Sequence, residues 1–276
     1  MKVRIITAAI LVGIAVPIFL LSEYIIYPIA IALLSVFAVF ELFRVMGVHK
    51  RLYASVPAYL IAFLLPILSY FFKAERIQLY IPIVCVVVFA FLLYVMMSAV
   101  FSKGKLPMSK AAEIFLAVTY VTVSFSSLSA IRYIGFGLIS VMLTFISAWV
   151  SDVMAYIGGT LFGKHKLIPE VSPKKTVEGA ISGVVSASVA CLLYGLVIES
   201  LTSVKANYLS LAVCGLVLST ISQIGDLAAS LIKREYSVKD YGNLLPGHGG
   251  IMDRFDSIIA VSAPLLGICI LFPPFQ

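Results

Sequence analysis

The sequence has very little charge: 12% of its 276 residues are Asp, Glu, Lys or Arg, whereas 62% are hydrophobic. Soluble globular domains carry about 25% charged residues. A water-soluble fold of this composition would expose large apolar patches, which excludes an ordinary soluble globular protein. We therefore predict an integral membrane protein whose surplus apolar side chains face lipid.

Histidine and cysteine are also scarce, with three His and four Cys residues. The cysteines lie inside apolar runs without paired or zinc-like spacing, so we expect neither disulfides nor a zinc site. The net charge of +7 comes without a basic stripe interleaved with aromatic residues, which predicts no nucleic-acid partner. No Ser-His-Asp arrangement stands out.

Apolar stretches of about 20 residues, enough to cross a bilayer, recur along the chain. We predict nine of them, near 5–21, 25–43, 53–72, 78–101, 111–130, 134–162, 178–198, 206–232 and 255–273. The first resembles a signal peptide, but it lacks a convincing small-residue cleavage site, which favours a retained span. The predicted fold class is all-α, a polytopic membrane protein with about nine transmembrane helices.

Basic residues divide unevenly between alternate connections of these spans. Sixteen of the 20 Lys and Arg residues fall on one side, and the other four are Lys73, Arg76, Arg132 and Lys205. Because cytoplasmic connections carry the excess of Lys and Arg, we predict a cytoplasmic N-terminus. An odd span count then puts the C-terminus on the opposite side of the cell (inner) membrane.

Aspartate divides the chain in another way. All five Asp residues lie after residue 150, and residues 1–130 contain none. We predict that residues 1–130 form a transmembrane scaffold and that residues 131–276 form a catalytic region whose site faces the cytoplasm. The chain shows no convincing internal repeat, which gives no support to an inverted-repeat transporter.

Four polar residues in the eighth span share one helix face. Ser222, Asp226, Ser230 and Lys233 follow at spacings of four, four and three residues. An Asp at the centre of a membrane helix costs roughly 3 kcal/mol, so such residues usually have a function. An internal salt bridge or a lysine that reaches toward the headgroups is the alternative. Asp152 also follows an apolar run.

A loop with many glycines and ionisable residues follows this span. It contains Lys239, Asp240, Gly242, Pro246, Gly247, His248, Gly249 and Gly250, and is followed by Asp253, Arg254 and Asp256. Glycines let backbone N–H groups approach phosphate, carboxylates suit Mg²⁺, and basic groups suit polyphosphate. This combination indicates metal-assisted phosphoryl or nucleotidyl transfer.

A second basic element precedes the seventh span, with the sequence Ser-Pro-Lys-Lys-Thr-Val-Glu-Gly at 172–179. Pro173 and the hydroxyls predict the start of a helix here. Lys174 and Lys175 would then meet phosphate oxygens at the positive end of that helix. Lysines that merely set the topology are the alternative interpretation.

The stretch from Ser230 to Asp256, about 27 residues, resembles the signature of the phosphatidate cytidylyltransferases, also called CDP-diacylglycerol synthases. It reads Ser-Leu-Ile-Lys-Arg, then Lys239-Asp240, then Leu-Pro-Gly-His-Gly-Gly-Ile-Met-Asp-Arg-Phe-Asp from Leu245. Residues 172–179 and 151–166 are also similar to that family.

The resemblance implies an enzyme, a nucleotidyltransferase that uses CTP and phosphatidic acid, with Mg²⁺ and room for a second metal ion. The implied metal ligands are Asp226, Asp253, Asp256 and Asp152. The implied catalytic residues are Lys233, Asp226, Asp253 and His248, the last to move a proton or contact a phosphate. The implied substrate contacts are Ser172, Lys174, Lys175, Thr176, Arg234, Lys239, Asp240, Gly249, Gly250 and Arg254.

Three rival functions share parts of this chemistry. A cation-coupled transporter also uses membrane Asp and Lys residues, and Asp226 keeps this rival open. A polyprenol or phytol kinase that uses CTP is disfavoured by the motif at 230–256. A CDP-alcohol phosphotransferase would need an Asp-Gly-x-x-Ala-Arg motif, which this chain lacks. Small residues in most spans leave a homodimer open.

Overall fold

The structure is a computed structural model that describes residues 2–72 and 76–276. For residues 2–5 and 8 it describes the backbone only. Lys73, which the topology prediction places opposite the basic side, lies outside the described residues.

The described chain is built almost wholly of helices. In chain order they are α1 (Lys2–Leu20), α2 (Ile26–Val45), α3 (Leu52–Phe71), α4 (Ile77–Phe101), α5 (Met108–Ile131), α6 (Gly137–Phe145), α7 (Ser151–Phe162), α8 (Val177–Leu201), α9 (Tyr208–Glu235) and α10 (Met252–Leu271). A π-helical turn, Ile146–Val150, joins α6 to α7 without a break.

Eight stretches of the described chain are helical, long and apolar enough to cross a membrane. They are α2, α3, α4, α5, the continuous run Gly137–Phe162, α8, α9 and α10. Eight of the nine predicted spans are thereby confirmed. The first falls in α1, whose described apolar part, Ala9–Leu20, is shorter than a bilayer crossing needs. The ninth span and the side on which each terminus lies stay predictions.

The exposed surface of α4 shows why these helices need lipid. Val86 is 68% exposed and Phe89 is 59% exposed, although neither carries a polar group. Each apolar side chain left in water would forgo about 1.5–3 kcal/mol of burial free energy. A bilayer removes this cost, so the polytopic membrane fold follows from the packing as well as from the composition.

A small two-stranded sheet modifies the all-α prediction. Strand β1 (Lys166–Ile168) pairs antiparallel with β2 (Ser172–Thr176). The helix start predicted at Pro173 is therefore wrong by about a turn, because Pro173 lies in β2 and α8 begins at Val177. The Thr176 side chain caps α8 by accepting a hydrogen bond from the backbone N–H of Gly179 at 3.2 Å.

The chain packs into two compact units. The first is Met1–Tyr133 together with Asp240–Arg254, and the second is Ile134–Lys239 together with Phe255–Gln276. The division near residue 133 lies close to the predicted boundary at 130. The segment Asp240–Arg254, predicted to be part of the catalytic region, packs with the N-terminal helices. Which unit acts as scaffold stays a prediction.

Hydroxyl groups hold helices of the first unit together. The Ser69 and Ser129 hydroxyls, on α3 and α5, share a hydrogen bond of 2.8 Å, and Ser129 also donates to the Pro66 carbonyl at 3.0 Å. All three residues lie in helices that can cross a membrane. Because lipid offers no hydrogen-bond partners, such polar pairs link helices within a bilayer.

Glycines let the helices of the second unit approach closely. A Cβ atom on Gly179 of α8 would lie 2.5 Å from the Ala155 carbonyl oxygen of α7. A Cβ atom on Gly183, one turn later, would lie 2.7 Å from the Ser151 carbonyl oxygen. Any larger residue would push α7 away from α8, so these two glycines set the position of the helix that carries Asp152.

Candidate active site

The second unit brings together carboxylates from three helices. Asp152 lies in the first turn of α7, Asp226 lies in α9, and Asp256 lies in α10. Asp226 acts electrostatically on both of the others. We call these three residues the acidic cluster. Three of the four predicted metal ligands therefore lie in one neighbourhood.

Two predicted cations and one hydroxyl accompany the acidic cluster. Lys175 Nζ lies 2.5 Å from Asp226 Oδ2, and the charge of Lys233 acts on Asp256. The Ser257 hydroxyl donates to Asp152 Oδ2 at 3.3 Å, and its backbone N–H donates to Asp256 Oδ1 at 2.8 Å. The cluster thus places anionic oxygens beside ammonium groups.

The four polar residues predicted to share one face of the eighth span all lie in one continuous helix, α9. Ser222 is fully buried, and its hydroxyl has no hydrogen-bond partner among the described residues. Asp226, one turn later, forms an ion pair with Lys175 of β2. A salt bridge of this kind is the alternative to a functional role. An ion pair alone leaves the buried Ser222 hydroxyl unexplained, since buried hydroxyls normally have a partner.

A glutamine fixes α7 against its neighbours. Gln223 Nε2 donates to Ser151 Oγ at 3.0 Å and to the Ala180 carbonyl at 3.0 Å. Ser151 immediately precedes Asp152 and follows the π-helical turn Ile146–Val150. Such turns often occur at functional sites because they re-aim the residues that follow. Sequence reasoning assigned no role to Gln223, although a glutamine within an apolar span is a usable signal.

In the first unit, Asp253 ties together the two ends of the Gly-rich segment, Asp240–Arg254. Its Oδ2 atom accepts hydrogen bonds from the backbone N–H groups of Tyr241 at 2.8 Å and Gly250 at 3.0 Å. Arg254 donates from Nε to the His248 carbonyl at 2.7 Å. In this structure both residues hold the segment in shape, whatever else they bind.

Two glycines give the Gly-rich segment its turns. Gly247 has a φ of 75° and Gly249 a φ of 86°, a region that other L-residues rarely adopt. Between them lies His248, whose Nδ1 atom is buried and has no hydrogen-bond partner among the described residues. The turn closes where Leu245 donates its backbone N–H to the Gly249 carbonyl at 2.9 Å.

Sequence reasoning missed two residues of α2 that contact the Gly-rich segment. Glu41 accepts hydrogen bonds from the backbone N–H groups of Ile251 at 3.0 Å and Met252 at 2.9 Å. Arg44 donates from Nη2 to the Tyr241 carbonyl at 2.9 Å. The missed signal was a glutamate inside an otherwise apolar span, since only aspartates were considered in the N-terminal region.

The remaining predicted substrate contacts are mostly exposed. Exposed side chains belong to Lys174, Arg234, Lys239, Asp240 and Arg254. Ser172 and Thr176 lie in β2, where the Thr176 hydroxyl is occupied as the cap of α8. Because side chains alternate along a strand, Lys174 points to the opposite side from Lys175. Both lysines lie in β2, directly before the start of α8, and their contact with phosphate stays a prediction.

The acidic cluster has the donor chemistry for a magnesium ion. Mg²⁺ prefers oxygen ligands and is usually held by one or two carboxylates, with waters and substrate phosphates completing its shell. Across the residues the structure describes, no three His, Cys, Asp or Glu side chains form a ready-made metal cage. A site that relies on substrate oxygens does not need such a cage, so the residues present fit Mg²⁺.

Comparison with known proteins gives matches along almost the whole chain. The sequence model of the cytidylyltransferase family matches residues 2–272. The phosphatidate cytidylyltransferase of Staphylococcus epidermidis is 35% identical over 271 residues, covering 98% of this chain and 99% of that protein. The Staphylococcus haemolyticus protein of the same name is 36% identical with the same coverage. The Bacillus subtilis protein of that name is 37% identical over 241 residues, or 85% of each chain.

Proposed function

The chain belongs to the cytidylyltransferase family, and on this premise we propose that it is a phosphatidate cytidylyltransferase of phospholipid biosynthesis. The enzyme is a nucleotidyltransferase that joins CTP to phosphatidic acid and produces CDP-diacylglycerol and pyrophosphate. Relatives named for this activity support the proposal over 98% of the chain.

The observation that carries the proposal is the acidic cluster with Lys175 and Lys233 beside it. Both substrates are phosphate anions, so their mutual repulsion is the main obstacle to the reaction. Preorganised cations counter this repulsion, and carboxylates recruit a divalent cation for the same purpose. A plain structural ion pair would need one carboxylate, whereas here the carboxylates of Asp152 and Asp256 also act electrostatically with Asp226.

The chemistry is a displacement at phosphorus. A phosphate oxygen of phosphatidic acid forms a bond to the α-phosphorus of CTP. The bond from that phosphorus to the oxygen that bridges to the β-phosphate breaks, and pyrophosphate leaves with the electron pair. Because the attacking phosphate is already anionic near neutral pH, the reaction needs no strong general base. Positioning and charge neutralisation by the protein supply the acceleration.

Carboxylates of the acidic cluster, Asp152, Asp226 and Asp256, would supply one or two ligands to Mg²⁺. The resemblance to the family separately implies Asp253 as a ligand. The bound ion would neutralise charge on the triphosphate. Lys175 and Lys233 would contact phosphate oxygens, and the exposed cations Lys174, Arg234 and Lys239 would add positive charge in the same unit. A second ion fits the same chemistry.

The membrane setting suits a reaction between a lipid and a soluble nucleotide. The chain is a multi-pass membrane protein, so phosphatidic acid reaches it from the bilayer. We place it in the cell inner membrane with the site facing the cytoplasm, where CTP is available, because the basic residues concentrate on that side. A homodimer through small-residue helix faces stays a prediction, which mass measurement in lipid nanodiscs tests.

Product analysis of the purified protein tests this function. Incubation with CTP, phosphatidic acid and Mg²⁺ should release pyrophosphate and form a CMP-bearing lipid in equal amounts. Diacylglycerol, which lacks the attacking phosphate, is the matched control and should give neither product.

The same assay separates the rival functions by their products. A CTP-dependent lipid kinase would release CDP and no pyrophosphate. A cation-coupled transporter would consume no CTP. Either result with active, folded protein would overturn the proposed function.

A further inference from the structure

Glu41 is a carboxylate buried where sequence reasoning expected only scaffold. It lies in α2, a helix long and apolar enough to cross a membrane, and only 3% of the residue is exposed. Buried carboxylates are costly unless hydrogen bonds or charges compensate them. A glutamate at this position therefore needs specific partners, and the Gly-rich segment provides them.

Each oxygen of Glu41 accepts one backbone hydrogen bond. Oε1 accepts from Ile251 at 3.0 Å, and Oε2 accepts from Met252 at 2.9 Å. Met252 is the first residue of α10, so its N–H has no partner within the helix. An anion beside the N-terminus of a helix is also favoured by the helix dipole. Glu41 thus anchors the start of α10.

Two glycines of the segment pack directly against the same carboxylate. A Cβ atom on Gly242 would lie 2.4 Å from Glu41 Oε1, and one on Gly250 would lie 2.3 Å from Oε2. The Glu41 carboxylate would have to move for either glycine to carry a side chain. Gly250, predicted from the sequence to contact substrate, therefore packs against Glu41 in this structure.

The contacts of α2 lie next to the backbone N–H groups that hold the Asp253 carboxylate. Asp253 accepts hydrogen bonds from Tyr241 and Gly250. Tyr241 precedes Gly242 and accepts a hydrogen bond from Arg44, and Gly250 lies against Glu41. One turn of α2 therefore holds both ends of the segment whose amides orient the Asp253 carboxylate.

We propose that Glu41 is a positioning residue for cytidylyl transfer, which fixes the Gly-rich segment and through it the Asp253 carboxylate. It acts through hydrogen bonds and packing and does not contact substrate. The expected effect on turnover rests on the proposed function, whereas the effect on the backbone of residues 240–254 can be measured independently of it.

Amide hydrogen exchange and turnover of Glu41→Gln test the proposal together. Glutamine has nearly the same shape, but its amide nitrogen cannot accept a hydrogen bond and faces a backbone N–H. Exchange should accelerate in residues 240–254, while exchange in α3 and α5 stays at the wild-type rate. Because a misplacement of about 1 Å can cost about a hundredfold in rate, kcat should fall about tenfold to a hundredfold.

Glu113→Gln is the matched control, since Glu113 is a partly buried glutamate of the first unit that forms an ion pair with Lys110 of its own helix. Both its exchange and its turnover should equal those of the wild type. Arg44→Gln is the second variant, because Arg44 is exposed and its loss threatens folding less. It should accelerate exchange around Tyr241 and lower kcat by a smaller factor.

Three results would overturn the proposal. Unchanged exchange in residues 240–254 would show that Glu41 does not hold the segment. Faster exchange throughout the first unit would make Glu41 a general stability residue. Faster local exchange with wild-type kcat would separate the segment from catalysis. If the wild-type protein itself fails to transfer the cytidylyl group, the proposed function fails while the exchange result still stands.

Discussion

The acidic cluster of the second unit and the Gly-rich segment of the first unit both contain buried or half-buried carboxylates, but their partners differ. At the segment, Asp253 and the contacting residue Glu41 of α2 each accept two backbone N–H hydrogen bonds. In the cluster, Asp152 and Asp256 interact with Asp226 and with lysine side chains. Glu41 and Asp253 also repel each other, but each is held by two backbone N–H groups, whereas in the cluster three carboxylates act on one another.

This difference in partners indicates which region would bind a cation and phosphate groups. Three like charges held near one another destabilise the protein unless cations reduce their repulsion. Lys175 and Lys233 reduce part of it, and a divalent ion would reduce more. In the segment, two backbone N–H groups compensate part of the charge of each carboxylate. We therefore place the reaction at the cluster and assign Glu41 a positioning role.

Removal of divalent cations should have the largest effect on turnover. Chelation should abolish product formation, because the repulsion within the acidic cluster and between the substrates would be left uncompensated. Added Mg²⁺ should restore it, as pyrophosphate release would show. Turnover that resists the chelator would contradict the metal assignment.

Asp226→Asn should have the next largest effect. The change is nearly isosteric but removes the negative charge that pairs with Lys175 and acts on Asp152 and Asp256. We expect kcat to fall at least about a thousandfold, which is about 4 kcal/mol in the activation barrier. Glu199→Gln, an exposed change in the same unit, should leave kcat as in the wild type. Near-normal turnover of Asp226→Asn with the melting temperature retained would remove the cluster from the mechanism.

Asp253→Asn tests whether the Asp253 carboxylate only holds the Gly-rich segment or also takes part in the reaction. An asparagine oxygen can still accept from Tyr241 and Gly250, so exchange in residues 240–254 should stay at the wild-type rate and the protein should remain folded. The family motif assigns the carboxylate to the metal, so kcat should fall about a hundredfold or more, which is about 3 kcal/mol. Wild-type kcat would restrict Asp253 to its hydrogen bonds within the segment.

Gln223→Ala should have the smallest effect. Loss of its two hydrogen bonds leaves Ser151 less constrained and should destabilise the protein by about 1–3 kcal/mol. The kcat value should fall about tenfold as α7 loses its fixed position. Thr220→Ala, an exposed change on the same helix, is the control. A melting temperature and kcat equal to those of Thr220→Ala would show that Gln223 does not position α7.

Hydropathy was sufficient to predict most of the fold. Runs of about 20 apolar residues have few stable alternatives in a bilayer, so eight predicted spans appear as helices. The β1–β2 hairpin was missed because it is short and polar, and Lys-rich sequence carries no strong strand preference. Pro173 suggested the start of a helix, but it lies in β2, where its missing N–H is tolerated.

The acidic cluster was predictable because aspartates are conspicuous in apolar sequence. Spacing alone placed Asp226 and Lys233 on one face, and the family motif added Asp256. The contacts of Glu41 and Gln223 were not predictable, since they join residues 210 and 72 positions apart in the chain. Such pairings depend on how helices pack, which periodicity within one helix does not reveal.

A double-label experiment tests the central claim most directly. CTP labelled at both the α- and γ-phosphorus is given to wild-type protein and to Asp226→Asn, each with phosphatidic acid and Mg²⁺. We predict that wild-type protein moves the α label into lipid and the γ label into pyrophosphate in equal amounts, and that Asp226→Asn moves neither. Transfer of the γ label to lipid, or equal transfer of the α label by both proteins, would contradict cytidylyl transfer at the acidic cluster.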